Sequence, residues 1–257
     1  LSLTYAGIID PCGNNSNCST APANTKNDSH TIGFRQAGQL YGIDYRGEYY
    51  YQFGDANQDA QNLTTGQSAA GLGVERDAYM FGVRIGKTFK NVNMKPSLTI
   101  WYDYLSGTDD VDLTKSNPEW KSFNPVFDTG HKFYGLQDLF LGVGTGSETS
   151  GTAGLGLQDL AIKTKMSPAP GWTLKTAYHW FWTAESINDQ EGRGINTAGE
   201  SSSALGNELD ITLVNKYNAN TTITAGFSNY SNTTLFRNIR NVDGGGANWA
   251  YLQFDRS

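Results

Sequence analysis

The stretch that decides the fold is Ile43-Asp44-Tyr45-Arg46-Gly47-Glu48-Tyr49-Tyr50-Tyr51-Gln52-Phe53-Gly54. Its odd positions are mostly apolar or aromatic, whereas its even positions carry an aspartate, an arginine, a glutamate and a glutamine. Strict alternation of this kind predicts a β-strand with one apolar face and one ionic face. The strand is longer than the usual ~5–6 residues of globular sheets. It reaches the ~9–11 residues that a tilted strand needs to cross a bilayer.

The same two-faced pattern recurs along the chain and predicts about ten strands in all. After Trp172, the side chains of Leu174 and Tyr178 share one face, and those of Lys175 and His179 share the other. Aromatic residues cluster near the strand ends, where the rings of an outer-membrane barrel meet the two membrane interfaces. The sequence therefore predicts an all-β fold, an antiparallel transmembrane β-barrel of the outer-membrane type.

The connections between the predicted strands alternate between short and long. Short joints fall at residues 41–42, 91–93, 167–170 and 218–220, and long polar connections at about 10–29, 55–77, 107–154, 185–204 and 231–247. Tight periplasmic turns and long extracellular loops are the layout of outer-membrane barrels. We therefore expect one barrel domain over residues 1–257. A soluble sandwich would show the same alternation within strands, but it has no reason to sort its connections by length.

Composition excludes several other classes of protein. The 257 residues include 19 Lys+Arg and 25 Asp+Glu, a net charge of −6, so the basic patch of a nucleic-acid partner is missing. No apolar run approaches the ~20 residues of a transmembrane helix. The expected surroundings are membrane lipid and the bacterial outer membrane.

The two cysteines, Cys12 and Cys18, are separated by a Gly- and Asn-rich gap that allows the chain to fold back. We predict a disulfide at a loop tip in an oxidising compartment. A metal or redox pair is the alternative, although the spacing is not Cys-x-x-Cys.

Two segments resemble the alginate-export porin family. The first is Trp101-Tyr102-Asp103-Tyr104-Leu105-Ser106-Gly107, and the second runs from Phe123-Asn124-Pro125 through Asp128-Thr129-Gly130-His131-Lys132-Phe133-Tyr134-Gly135-Leu136-Gln137-Asp138-Leu139-Phe140. Asn124 replaces the aspartate that is usual in the family. The resemblance implies a barrel of 18 strands with a charged lumen, of which this chain would be the C-terminal part. A complete ten-stranded barrel is the alternative.

The resemblance also implies the function, an outer-membrane porin for diffusion of anionic or polar solutes, including an alginate-like polysaccharide. It implies no enzymatic reaction and no cofactor. A structural barrel that houses or anchors a periplasmic or lumenal protein partner is the alternative from another class. An enzyme with its site on the long loops is a third, but no catalytic constellation supports it.

Pore-lining candidates are the ionisable residues on the ionic faces of the strands. They are Arg35, Asp44, Arg46, Glu48, Arg84, Asp103, Asp159, Lys163, Lys165, Lys175, His179, Glu208, Asp210 and Lys216. Cationic side chains around a water-filled pore lower the barrier for anions. The mixed signs also allow cross-strand ion pairs that brace the wall.

A constriction of the pore is predicted from the family-like motif. Its residues are Asp128, Thr129, Gly130, His131, Phe133, Gly135 and Asp138. A loop that folds inward here would narrow the lumen. Asp128-Thr129-Gly130 is also the triplet of aspartic proteases, but the second triplet that such an enzyme needs is absent from the sequence.

A calcium site is a further candidate in the same connection. Asp109, Asp110 and Asp112 offer oxygen ligands but lack the glycine and terminal glutamate of an EF-hand loop. A solvated acidic loop is the preferred interpretation, and no metal is predicted elsewhere.

Overall fold

The computed structural model describes residues 1–9, 28–56, 74–109, 118–125, 133–141, 151–186 and 203–256. These residues form eleven strands and one short helix. The elements are β1 (Ser2–Ile8), β2 (Ser29–Leu40), β3 (Ile43–Asp55), β4 (Glu75–Thr88), β5 (Ser97–Leu105), β6 (Glu119–Trp120), β7 (Leu157–Met166), β8 (Trp172–Trp182), β9 (Ala204–Asn218), β10 (Thr221–Asn232), α1 (Thr234–Arg240) and β11 (Gly246–Arg256).

All the strands belong to a single sheet. Ten of the described strands follow the order β1-β2-β3-β4-β5-β7-β8-β9-β10-β11, each antiparallel to its neighbour. The two-residue β6 lies off this path and pairs in parallel with the start of β4. Among the described residues β1 and β11 do not pair with each other, so the sheet is open along both edges. The antiparallel all-β prediction is confirmed.

The shortest connection shows how local sequence sets the register. Tyr41 and Gly42 alone join β2 to β3, with φ values of 50° and 75°. Positive φ at both central residues is the geometry of a type I′ turn, whose twist matches that of the flanking strands. Leu40 consequently pairs with Ile43, and the register continues unbroken from there to Ser29 and Gly54.

The other short connections span residues 89–96, 167–171 and 219–220. In the first of them, Met94 and Lys95 both have positive φ, and the Phe89 amide donates a hydrogen bond to the Pro96 carbonyl at 2.8 Å. In the last, the Asn218 side chain accepts a hydrogen bond from the Asn220 amide at 2.9 Å. All of these turns reverse the chain at the same end of the sheet.

The helix α1 lies in the connection from β10 to β11 and is absent from the sequence predictions. Thr233 caps its start by accepting a hydrogen bond from the Phe236 amide, and Asn241 ends it in the left-handed conformation. Leu235, Phe236 and Ile239 turn inward and are buried. The helix therefore packs as part of the protein interior.

The core gathers at the end of the sheet where the long connections leave. Leu105, Leu157, Phe181, Leu205 and Tyr230 contribute from the strands and are all at most 1% exposed. They lie on the same side of the sheet as the ionic residues of the strands. The helix and residues 133–141 complete this apolar cluster.

Candidate functional site

The two faces of the sheet differ in chemistry. The face that we call the inner face carries Glu48, Arg84, Asp103 and Asp159, all buried. The opposite, outer face carries large apolar side chains that remain exposed, among them Leu3, Ile32, Phe34, Val83, Ile85, Ile100, Ile162, Ile211, Phe227 and Leu252. A continuous exposed apolar surface on a long sheet indicates contact with an apolar environment rather than with water.

An ion-paired network crosses the inner face from β3 to β5. The Arg84 guanidinium donates to Glu48 Oε1 at 2.7 Å and to Asp103 Oδ2 at 3.2 Å. Arg46 donates to the other oxygen of Glu48 at 2.6 Å. Arg46 and Arg84 are directly opposite in register, an unfavourable pairing of like charges that Glu48 neutralises because it binds both.

Trp101 joins this network, although it is not among the predicted pore-lining residues. Its indole N–H donates to Asp103 Oδ2 at 2.7 Å, and the Arg84 guanidinium lies 3.5 Å from the centre of its ring. The ammonium of Lys163 lies 4.1 Å from the same ring centre. Two cations over one indole are a strong local cation–π arrangement. Trp101 and Asp103 are two positions apart in β5, so their side chains share one face of the strand. That spacing could have predicted that Trp101 lies beside Asp103.

A second group of ionisable residues is buried between β7 and β9. His179 Nδ1 lies 2.9 Å from both oxygens of Asp159, and its Nε2 lies 3.9 Å from Asp210 Oδ2. Both His179 and Asp159 are at most 1% exposed. These two predicted pore-lining residues are thus buried and bonded to each other.

Residues 133–141, which we call the inward segment, lie against the inner face. The Gln137 amide donates to Glu208 Oε1 at 3.0 Å, and the Gln137 side chain donates to Ser228 Oγ at 3.1 Å. Gly135 has φ of 86°, and a Cβ there would lie 2.5 Å from Glu208 Cδ. Only glycine therefore permits this close approach of the segment to β9.

The far end of the inward segment is fixed by an aromatic cluster. Phe140 is 1% exposed, and its ring centre lies 4.7 Å from that of Phe181, 6.1 Å from that of Phe236 and 6.4 Å from that of Tyr230. Arg240 in α1 donates a hydrogen bond to the Leu139 carbonyl. Burial lowers the pKa of Arg240 to about 10, which still leaves it protonated at neutral pH.

Two cavities of about 350 Å³ each open on the inner face. The lysine cavity is lined by Lys163, Lys165, Lys175, His179 and Asp210, with Gly135 and Leu136 of the inward segment beside them. The aromatic cavity is lined by Tyr50, Phe123, Phe133 and Tyr134 together with Arg46, Glu48, Arg84 and Asp103. The inward segment contributes residues to both.

The remaining predicted residues fall outside these cavities or outside the described chain. Asp44 and Lys216 are exposed at the end of the sheet that carries the short turns, and Arg35 is exposed in the middle of β2, opposite Glu48. Asp138 lies in the inward segment. The predicted residues that lie outside the described part of the chain are Cys12, Cys18, Asp110, Asp112, Asp128, Thr129, Gly130 and His131. Within the described ranges, no three His, Cys, Asp or Glu side chains converge on a metal site.

Long antiparallel strands with an apolar outer face and a charged inner face define the class of outer-membrane transport barrels. Comparison with known families matches residues 12–239 to the family described as Alginate export, and the chain belongs to that family. No curated protein matches the chain. Within the described residues, no helix is long and apolar enough to span a membrane.

The apolar outer face makes a depth-dependent prediction. Ile100 lies near the middle of β5 and is 50% exposed, whereas Leu98 lies on the same face near the strand end. We expect Ile100→Arg to cost about 2–4 kcal/mol of folding free energy in lipid vesicles, and Leu98→Arg about 0–1 kcal/mol. Urea titration of tryptophan fluorescence would measure both variants. Equal costs would contradict the assignment of this face to lipid.

Proposed function

We propose that the inner face lines the lumen of a channel in the bacterial outer membrane that passes anionic or polar solutes by diffusion. An alginate-like polysaccharide is the largest solute in this proposal. The observation that carries it is the lysine cavity, where the side chains of Lys165 and Lys175 face open space on the inner side and pair with no carboxylate among the described residues. No chemical step and no cofactor are part of the proposal.

Lys165 and Lys175 are the main support for an anionic solute. They are directly opposite in register on β7 and β8, and both side chains are exposed. In the described part of the chain, neither they nor Lys163 has a carboxylate within ion-pairing distance. Opposed like charges are destabilising in a sheet unless something neutralises them. An anion that enters the cavity supplies that neutralisation.

The ionisable residues of the inner face thus divide into two groups. Arg46, Glu48, Arg84 and Asp103 bind one another and brace the wall. Lys165 and Lys175 are exposed and keep their charge available, and low-dielectric walls would focus their field into the lumen. This division explains how a chain of net negative charge can present a cationic surface to a solute.

The inward segment is proposed to narrow the lumen, as the family-like motif suggests. It lies against β9 and β10 and is held at one end by the aromatic cluster. A barrel that houses a partner protein is less well supported, because the chain's own segment already occupies part of the inner face.

Ion selectivity in planar bilayers would test the anion channel. We expect the refolded protein to conduct, with a reversal potential in a KCl gradient that indicates chloride preference. Lys165→Gln combined with Lys175→Gln should lower the chloride-to-potassium permeability ratio by about threefold, because two uncompensated charges leave the lumen. Lys95→Gln, in the turn at 89–96, is the matched control and should leave the ratio unchanged.

Two outcomes would count against this function. A protein that inserts as a folded barrel but carries no current would exclude a channel. Potassium preference in the unmodified protein would exclude the anionic solute, and the lysine cavity would then have another role.

A further inference from the structure

We infer that the aromatic cavity is a binding site for an uncharged sugar ring. This inference rests on the proposed function only in that the solute reaches the cavity through the lumen. The sugar site differs from the proposed anion site in the chemistry of its ligand. The lysine cavity selects an anion, whereas the aromatic cavity selects a neutral, hydroxyl-bearing ring.

Charge balance is the first argument. Among the described residues, the charged side chains that line the aromatic cavity are two arginines and two carboxylates, and they neutralise one another. Arg84 is bonded to both Glu48 and Asp103, and Arg46 is bonded to Glu48. An entering anion would be attracted by the two guanidinium groups but repelled by the two carboxylates. An entering cation would be attracted by the carboxylates but repelled by the guanidinium groups. Neither an anion nor a cation therefore gains binding energy from the charges of this cavity, so a ligand without net charge fits it best.

The aromatic walls are the second argument. Tyr50 projects from β3, Phe123 follows β6, and Phe133 and Tyr134 come from the inward segment. The face of an aromatic ring carries partial negative charge and attracts the weakly positive C–H groups of a ligand. A pyranose ring presents such C–H groups on its flat faces and hydroxyls at its rim. It can therefore pack on the rings while its hydroxyls reach polar groups.

The polar groups available to those hydroxyls are the third argument. The Tyr50 hydroxyl forms no hydrogen bond with any other residue that the structure describes. Arg46 uses one terminal nitrogen for Glu48, and its side chain is 24% exposed. Sugar hydroxyls both donate and accept, so they can use the phenol and the guanidinium together.

The size and position of the cavity agree with this ligand. Its volume of about 350 Å³ lies at the lower end of the ~300–1,000 Å³ range of small-molecule sites. The inward segment forms part of both cavities. A glycan that carries neutral and acidic residues could thus place each kind of ring in a different cavity.

Calorimetry on the full chain folded in detergent micelles tests the inference without any need for ion conduction. We expect the uncharged cellotetraose to bind, and Phe133→Ala to weaken its binding by about tenfold through loss of the ring contact. Phe133→Tyr keeps the ring and should restore binding. Lys165→Gln should leave cellotetraose binding unchanged and should weaken that of the anionic tetragalacturonate.

The same variants can be followed by current block in bilayers, where cellotetraose should interrupt the current of the unmodified channel. Absence of cellotetraose binding to the folded protein in calorimetry would overturn the inference. Binding that Phe133→Ala leaves unchanged would overturn it too. A protein that binds cellotetraose but carries no current would instead count against the proposed channel and would leave the sugar site supported.

Discussion

Replacement of Arg84 by alanine is expected to destabilise the folded protein by about 3–5 kcal/mol, because it leaves the buried Asp103 without a guanidinium partner and Glu48 with only the partly exposed Arg46. The side chains of Glu48 and Asp103 are 5% and 1% exposed, so the guanidinium rather than bulk water is the partner of both carboxylates in the native structure. The stacking of Arg84 on Trp101 is lost as well. Urea unfolding in lipid vesicles, followed by tryptophan fluorescence, would measure the loss.

Arg46→Ala is the matched control for Arg84→Ala. Arg46 also binds Glu48, but it has a single carboxylate partner and is partly exposed. Its loss is expected to cost about 1 kcal/mol or less. Arg84→Met combined with Glu48→Gln and Asp103→Asn should recover most of the stability, because no buried charge is then left unpaired. If Arg84→Ala costs no more than Arg46→Ala, the network does not brace the wall.

Phe140→Ala is expected to cost about 3–5 kcal/mol, the usual penalty for removing a buried phenyl ring. Phe140 lies at the centre of the aromatic cluster that joins the inward segment to β8, β10 and α1. Loss of this anchor should also loosen the segment over the inner face. We therefore expect a larger single-channel conductance together with the lower stability.

The neighbouring Leu141 provides the control, since it is 42% exposed and lies outside the buried cluster. Leu141→Ala should change the unfolding free energy by less than about 0.5 kcal/mol and leave the conductance unchanged. A Phe140→Ala variant that loses stability but conducts like the unmodified protein would show that the inward segment does not narrow the lumen.

The strands could be predicted from the sequence because their pattern is local. The alternation in Ile43–Asp55 assigns each residue to a face, and the Tyr41–Gly42 turn sets the register with β2. Membership of one face places Glu48, Arg84 and Asp103 on the same side of the sheet. Which of them bind one another depends on cross-strand register, which the alternation alone does not determine.

The contacts of the inward segment could not be predicted, because they join residues far apart in the chain. Gln137 contacts Glu208, 71 positions later, and no spacing rule connects the two. His179 shares a face with the exposed Lys175, yet it is buried because Asp159 and Asp210 enclose it. The helix α1 had a local signal in Thr233 and the spacing of Leu235, Phe236 and Ile239, but seven residues within a long polar connection are easily taken for loop.

The order of strands in the sheet has a consequence for how the molecule assembles. Each strand on the main path pairs with the next strand in the chain, except that β5 pairs with β7 because the small β6 comes between them in sequence. The four hairpins that are joined by short turns therefore need little loop closure before they form, whereas pairing across the long connections costs more chain entropy. The sheet can then grow by the addition of one such hairpin at a time at its free edge.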